Sequence, residues 1–322
     1  MMAGPSSIAI ETEFDWARFV RLYWERRPVL FKHLSAAPFE PQDTFRAAAE
    51  AGRVHLQRSY SGNARPNVQF TVERLQQVFL RPRLPLLTDG SLAGYAGRMA
   101  RELGLRRYAL VISRLHSFWY PMWARERAFL AGLWRHVGLP LTGAITTLFH
   151  GNYEHTPSGV HRDRFTTFLF ALEGRKRMRF WPERPWNEPV STMPDYERYL
   201  DRSFTVDVEP GDLLYWPASY YHVGEGIGRE LATSVNVGVP RTEHWPVYYL
   251  DDLLLGTIDE IDLSDEERRR ARLRRVDGSP LVRGALADRP LPAELPRPLR
   301  QAVRAFVDVS RPAATARHLL TV

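Results

Sequence analysis

His161-Arg162-Asp163, answered 61 residues further on by His222, is the stretch on which the fold turns. His161 and Asp163 stand two apart, and side chains i and i+2 of a β-strand share a face. One short strand can therefore present both, with a third ligand arriving from a neighbouring strand. Two imidazoles and one carboxylate on one face leave open positions on a metal. Non-haem Fe(II) is the ion favoured by such a set, its free positions taking a co-substrate and O₂. A His-x-Asp by itself is weak, because it arises by chance in many chains of this length.

The flanking sequence supplies the rest. Val208-Glu209-Pro210-Gly211-Asp212 is a turn signal. Leu213-Leu214-Tyr215-Trp216-Pro217 then reads as a buried strand, and Ala218-Ser219-Tyr220-Tyr221-His222 follows the break at Pro217. Between the two ligand halves, Phe165–Ala171 is a nearly continuous run of apolar residues and threonine. Glu173-Gly174 reads as a turn, and Arg177-Met178-Arg179-Phe180-Trp181 alternates. The pattern predicts antiparallel strands folded into a small barrel with the ligands pointing inwards. Of the ten histidines, His150 and His155 lie just before the motif and are placed to line the pocket. His33, His55, His116, His136, His244 and His318 are isolated.

Four blocks together resemble the JmjC-type, cupin-fold, Fe(II)- and 2-oxoglutarate-dependent oxygenases. Within them the chain is most similar to the ribosomal-protein hydroxylases and to the asparaginyl hydroxylase of a hypoxia-inducible factor. The blocks are Tyr23-Trp24-Glu25-Arg26-Arg27-Pro28-Val29-Leu30, Pro157-Ser158-Gly159-Val160-His161-Arg162-Asp163, Glu173-Gly174-Arg175-Lys176-Arg177-Met178-Arg179, and Glu209 to Pro217 ending at Tyr221-His222. The resemblance implies a double-stranded β-helix, mainly β with flanking N- and C-terminal helices. It implies His161, Asp163 and His222 as iron ligands, and Lys176 as partner of the distal carboxylate of 2-oxoglutarate. Alternation supports the lysine: on a strand, Arg175 and Arg177 share one face and Lys176 takes the other. Thr167, Asn236, Ser158 and Tyr153 match positions of further co-substrate contacts, while Arg164, Trp216, Tyr220 and Tyr221 stand beside the ligands as candidates to line the substrate site. The implied reaction is hydroxylation of a protein or peptide side chain, with 2-oxoglutarate and O₂ consumed. Hydroxylation of a free amino acid or small metabolite, demethylation, and a metal cupin that is not an oxygenase are the alternatives.

Composition agrees. A 44% hydrophobic fraction, nine Trp, thirteen Tyr and sixteen Phe suit a sizeable core. With no cysteine there is neither a disulfide framework nor a thiolate metal site. No stretch reaches the roughly 18 apolar residues of a membrane span, and the first ten residues lack a basic n-region, so the expectation is a cytoplasmic protein. The net charge of +7 favours an acidic partner. Its densest run, Arg268–Arg275, follows the capping pattern Ser264-Asp265-Glu266-Glu267 and reads first as a solvated helix face; no nucleic-acid-binding motif accompanies it.

Three regions are predicted. Residues 1–105 read as mostly helical, with a helix carrying Trp16, Phe19, Val20 and Tyr23, a strand at Val29-Leu30-Phe31, a helix opening at Thr71 with Val72, Leu75, Val78 and Phe79 on one face, and another over Ser91–Leu103. Residues 106–240 hold the barrel, from Tyr108–Ile112 onward, interrupted by a helix at Met122–Val137. Residues 241–322 are helical in pattern, and a homodimer contact through these helices is one expectation.

Overall fold

A computed structural model describes residues 8–57, 67–140, 143–188 and 190–240. Among them are twelve strands and four α-helices. The strands are β1 (Ala9–Glu11), β2 (Val29–Phe31), β3 (Asn67–Val72), β4 (Leu75–Gln76), β5 (Tyr108–Ser113), β6 (Ile145–Gly151), β7 (Phe165–Glu173), β8 (Lys176–Trp181), β9 (Phe204–Val208), β10 (Leu213–Trp216), β11 (Tyr221–Gly226) and β12 (Ala232–Pro240). The helices are α1 (Trp16–Leu22), α2 (Pro41–His55), α3 (Leu92–Leu103) and α4 (Tyr120–Val137). The expected basic helix at 268–275, the rest of the helical pattern expected in 241–322 and the expected dimer contact lie outside the described residues. Among the described residues no helix is long and apolar enough to cross a membrane.

The strands form two sheets. Nine lie in the order β1-β2-β10-β7-β12-β6-β5-β3-β4, and three in the order β11-β8-β9. Strand alternation assigns each face. On β7, Phe168 and Phe170 join the core shared with the helices, whereas Leu169 and Ala171 face the small sheet. On β10, Leu213 and Tyr215 point to the helices, and Leu214 and Trp216 to the small sheet. The layer between the sheets is completed by Met178 and Phe180 of β8, Val206 and Val208 of β9, and Tyr220. The sheets therefore stack in the cupin manner, but the expected barrel does not close. Beyond the named strands and among the described residues, β11 is met by isolated bridges alone: His155 with Glu225, and His161 with His222.

Several elements stand as their sequence predicts. Asp15 caps α1, its carboxylate accepting from the Arg18 amide at 2.8 Å. Ser91 caps α3 through the Gly94 amide at 3.0 Å. The helix expected from Thr71 is instead the β3–β4 hairpin. Val68, Phe70 and Val72 are buried at period two against β5. Glu73 and Arg74 both take positive φ, 48° and 67°, as the turn of a two-residue hairpin requires. Leu75, Val78 and Phe79, read as a buried helical face, are exposed, Val78 at 96%. Helix α2 was not expected. Pro41 opens it, and Ala47, Ala48, Ala49 and Ala51 bury its small face. The N-terminal region thus contributes strands to both edges of the large sheet as well as helices to its outer face.

Phe170 ties the sheet to the helices, its ring 5.1 Å from Phe39 and 5.5 Å from Phe129 of α4. Phe170→Ala should lower unfolding free energy by about 3–5 kcal/mol, read by denaturant titration.

Candidate metal and co-substrate site

The segment 154–161 runs antiparallel along the open edge of β11. The Gly226 amide donates to the Glu154 carbonyl at 2.9 Å, and the Thr156 amide to the Gly224 carbonyl at 2.7 Å. His161 and His222 exchange backbone hydrogen bonds of 3.1 and 2.8 Å. His161 was expected on a strand with Asp163. It lies instead at this isolated bridge, with Asp163 outside any strand, two residues before β7. Gly159, at φ +65°, is packed so closely on the opposite chain that a Cβ would stand 2.6 Å from the Met193 carbonyl oxygen. Val160 and Met193 close this contact with two 2.9 Å backbone bonds. The loop between β8 and β9 therefore braces the ligand-bearing segment from outside, through Trp181, Trp186, Met193 and Tyr196.

The three side chains converge. One donor atom from each of His161, Asp163 and His222 lies within 4.8 Å of the others. Nε2 of each histidine is 3.4 Å from a different Asp163 oxygen. Nδ1 of His161 lies 2.9 Å from the Gly159 carbonyl, and Nδ1 of His222 lies 3.4 Å from that of Tyr220. A carbonyl only accepts, so each Nδ1 carries a proton, and each Nε2, turned towards Asp163, is the nitrogen left to hold a metal once its own proton is displaced. Burial opposes ionisation of Asp163, but the two imidazoles outweigh it and hold its carboxyl far below the usual range. Burial keeps His222 below its ordinary value; for His161 the Asp163 carboxylate overcomes burial and raises it. Two neutral nitrogen donors and one ionised carboxylate fit a divalent metal that retains open positions.

A cavity of about 240 Å³ between the sheets is lined by these three residues and by Lys176, Thr167, Ser158 and Asn236. Lys176 is 3% exposed. Its ammonium donates to Ser234 Oγ at 3.0 Å and stands 4.6 Å from the Phe149 ring centroid and 5.8 Å from that of Tyr153. Among the described residues no carboxylate pairs with it, and burial pushes its pKa down to about 7. Thr167 Oγ1 is 3.5 Å from Asp163, and Ser158 Oγ is 3.3 Å from His161 Nδ1. Asn236 Oδ1 and Tyr153 Oη are buried without a protein partner.

The remaining expected residues stand apart from the cavity wall. Trp216 lies behind the site, its ring 5.0 Å from that of His222. Tyr220 packs on Phe180 and Phe204. Tyr221 lies on the outer face of β11 against Trp186, with Arg162 over its ring. Arg164 does not line the cavity either. His150 is a core residue bonded to Tyr108 and Thr233, its pKa pushed down to about 3 by burial. His155 lies outside the cavity, its Nδ1 held by the Thr156 carbonyl. Sequence reasoning missed Gln69, Ser113 and Thr147, which line the cavity from β3, β5 and β6. It also missed Ser234, although the two-residue step back from Asn236 on one strand face points to it.

A family model for the JmjC domain matches residues 142–245. Ribosomal oxygenase 2 of Rattus norvegicus is 29% identical over 192 residues, 57% of this chain and 38% of that protein. The chain thus spans well under half the length of this curated relative. Solved structures of Escherichia coli YcfD resemble the chain at 17% identity and a TM-score of 0.45, covering 94% of this chain and 70% of theirs. One of them, titled a ribosomal oxygenase in complex with cobalt and 2-oxoglutarate, aligns at 16% identity and a TM-score of 0.44, covering 94% and 69%.

The buried ammonium has a measurable cost. The folded-state pKa of Lys176, about 7, lies below its ordinary 10.5. Between these values the unfolded chain holds the proton and the folded chain does not, so this lysine's effect on stability improves as pH rises through that window. Ligand-free Lys176→Met should therefore unfold at higher temperature than the parent at pH 7 and below. The advantage, up to about 3–5 kcal/mol, should shrink as pH approaches 10.5. Thermal scans across pH read both.

Proposed function

We propose that this chain is an Fe(II)- and 2-oxoglutarate-dependent oxygenase that hydroxylates a protein or peptide side chain. One observation carries the reading: a single cavity holds three convergent donors suited to a divalent metal and a buried ammonium lacking a carboxylate among the described residues. A dicarboxylic 2-oxo acid satisfies both at once, chelating at one end and pairing with Lys176 at the other.

When bound, iron with 2-oxoglutarate and O₂ supplies the oxidising chemistry, the co-substrate leaving as succinate and CO₂. The chain's residues do the rest. His161 and His222 present neutral Nε2 atoms because backbone carbonyls hold their Nδ1 protons. Asp163 adds one negative charge. Lys176, held by Ser234, would fix the far carboxylate, and Thr167 and Asn236, which line the same cavity, would contact the co-substrate. Ser158 steadies His161, while Tyr153 shields the ammonium. We assign catalysis to 106–240, supported by 1–105, which lends Gln69 to the cavity wall.

Hydroxylation is favoured over demethylation by the lining. Apart from Asp163, no carboxylate lines the cavity among the described residues, so a cationic methylated side chain finds no counter-charge there. The names of the relatives make ribosomal proteins the first substrates to test, with the cytoplasm as the assigned compartment. A free amino acid or small peptide is the other outcome of that screen.

Anaerobic titration of Fe(II) and 2-oxoglutarate into the protein should give the weak visible charge-transfer band of the chelate, which bleaches in air as succinate forms. Iron binding without the band would leave a metal cupin of another chemistry. His161→Ala or Asp163→Ala should abolish the band and turnover while the fold persists. Full activity in either variant would sink the ligand assignment. Lys176→Met should weaken 2-oxoglutarate by about tenfold to a hundredfold with iron affinity little changed, as expected for losing a charge-assisted pair.

A further inference from the structure

We propose that Gly224 is the positioning residue for the Lys176 ammonium, and that its missing side chain is what opens the cavity to a dicarboxylic 2-oxo acid. The inference rests on the function proposed above.

Gly224 lies within β11, two residues after His222, and so on the same inward face. Glycine weakens a strand interior and needs a local reason there. The backbone does not give one, since Gly224 is absent from the positive-φ glycines. Space does. A Cβ at 224 would stand 2.7 Å from Lys176 Cε, 3.3 Å from its Nζ and 3.1 Å from Thr156 Cγ2. In the β11–β8 register Gly226 faces Lys176, and Gly224 faces Met178. The lysine side chain therefore leans back from the level of Gly226 to that of Gly224. This brings its charge one strand repeat, about 7 Å, from the level of His222. A short diacid bound at the metal ligands would span that interval.

The kind of clash matters. At Gly226 a Cβ would meet the Tyr153 carbonyl oxygen at 2.1 Å, a backbone atom that cannot swing away. At Gly224 the obstacle is the end of a flexible side chain. An alanine there is accommodated by moving the ammonium off Ser234, leaving the sheet in place. The substitution should thus cost co-substrate affinity and little stability.

The test uses the full chain loaded with Co(II), with 2-oxoglutarate binding measured by calorimetry for the parent, Gly224→Ala, Lys176→Met and the double variant. Gly224→Ala should weaken 2-oxoglutarate by about tenfold or more while Co(II) affinity and melting temperature stay near the parent's. In the Lys176→Met background the same substitution should have no further effect, because the lysine through which it acts is gone. Unchanged affinity in Gly224→Ala overturns the proposal. So does an equal loss in both backgrounds, which would mean that the methyl blocks the acid directly, or a parallel loss of Co(II). If the parent itself binds no 2-oxoglutarate, the function proposed above fails, and acetylation of Lys176 by acetic anhydride decides the inference alone. Its pH midpoint, read by mass spectrometry, should differ between parent and Gly224→Ala, and an unchanged midpoint overturns it.

Discussion

Two backbone hydrogen bonds between His161 and His222 are the constraint on which the site depends. They lock one histidine to the other without any metal, and the ring centroids stand 4.6 Å apart as a result. Everything that secures this bridge secures the ligands. β8 holds β11 through six register pairs from Tyr221 to Gly226. The β8–β9 loop holds the facing segment through the Val160–Met193 pair. Asp163 follows two residues after the bridge, so its carboxylate arrives between two nitrogens whose positions the main chain has already set. Preorganisation of this kind lowers the entropy lost when a metal binds.

The same cavity carries a conflict between folding and use. Burying Lys176 beside Phe149 and Tyr153 with one neutral hydroxyl partner disfavours its charged form. A well-packed apolar residue would suit the folded chain better. On the function proposed above, an entering anion supplies the missing partner, and the desolvation already imposed strengthens the new ion pair. Asn236 Oδ1 and Tyr153 Oη extend the pattern, as buried polar atoms that find no partner in the protein.

What the sequence discloses follows from the range of the interactions involved. The buried strand after the Pro-Gly-Asp turn, the helices carrying Trp16 and Phe19 and spanning Ser91–Leu103, and the inward face of Lys176 are local patterns, and they stand as read. The Thr71 segment misled because Val72, Leu75, Val78 and Phe79 fit a helical stripe. The pairing of Val68, Phe70 and Val72 against β5, a contact across some forty residues, prevailed. Trp216, Tyr220 and Tyr221 neighbour His222 in sequence but serve packing, since on a strand adjacent residues face opposite ways and a turn at Pro217–Tyr220 redirects the chain. Ser234, Gln69 and Thr147 reach the cavity from strands whose order in the sheet no local pattern encodes.

The sheet order also sets a timetable for biosynthesis. β2 takes its place between β1 and β10, and the Leu30–Leu214 pairing joins residues about 180 apart in the chain. At ordinary translation speeds, β2 waits roughly ten to forty seconds for the ribosome to deliver its partner. During that interval Val29-Leu30-Phe31, an apolar strand with an open edge, is a template for pairing with other nascent chains. The aromatic cluster of Phe14, Phe19 and Tyr23 around Phe31 is built entirely from residues already made. It can shelter one face of the strand early, leaving the Leu30 face as the surface a chaperone would have to guard.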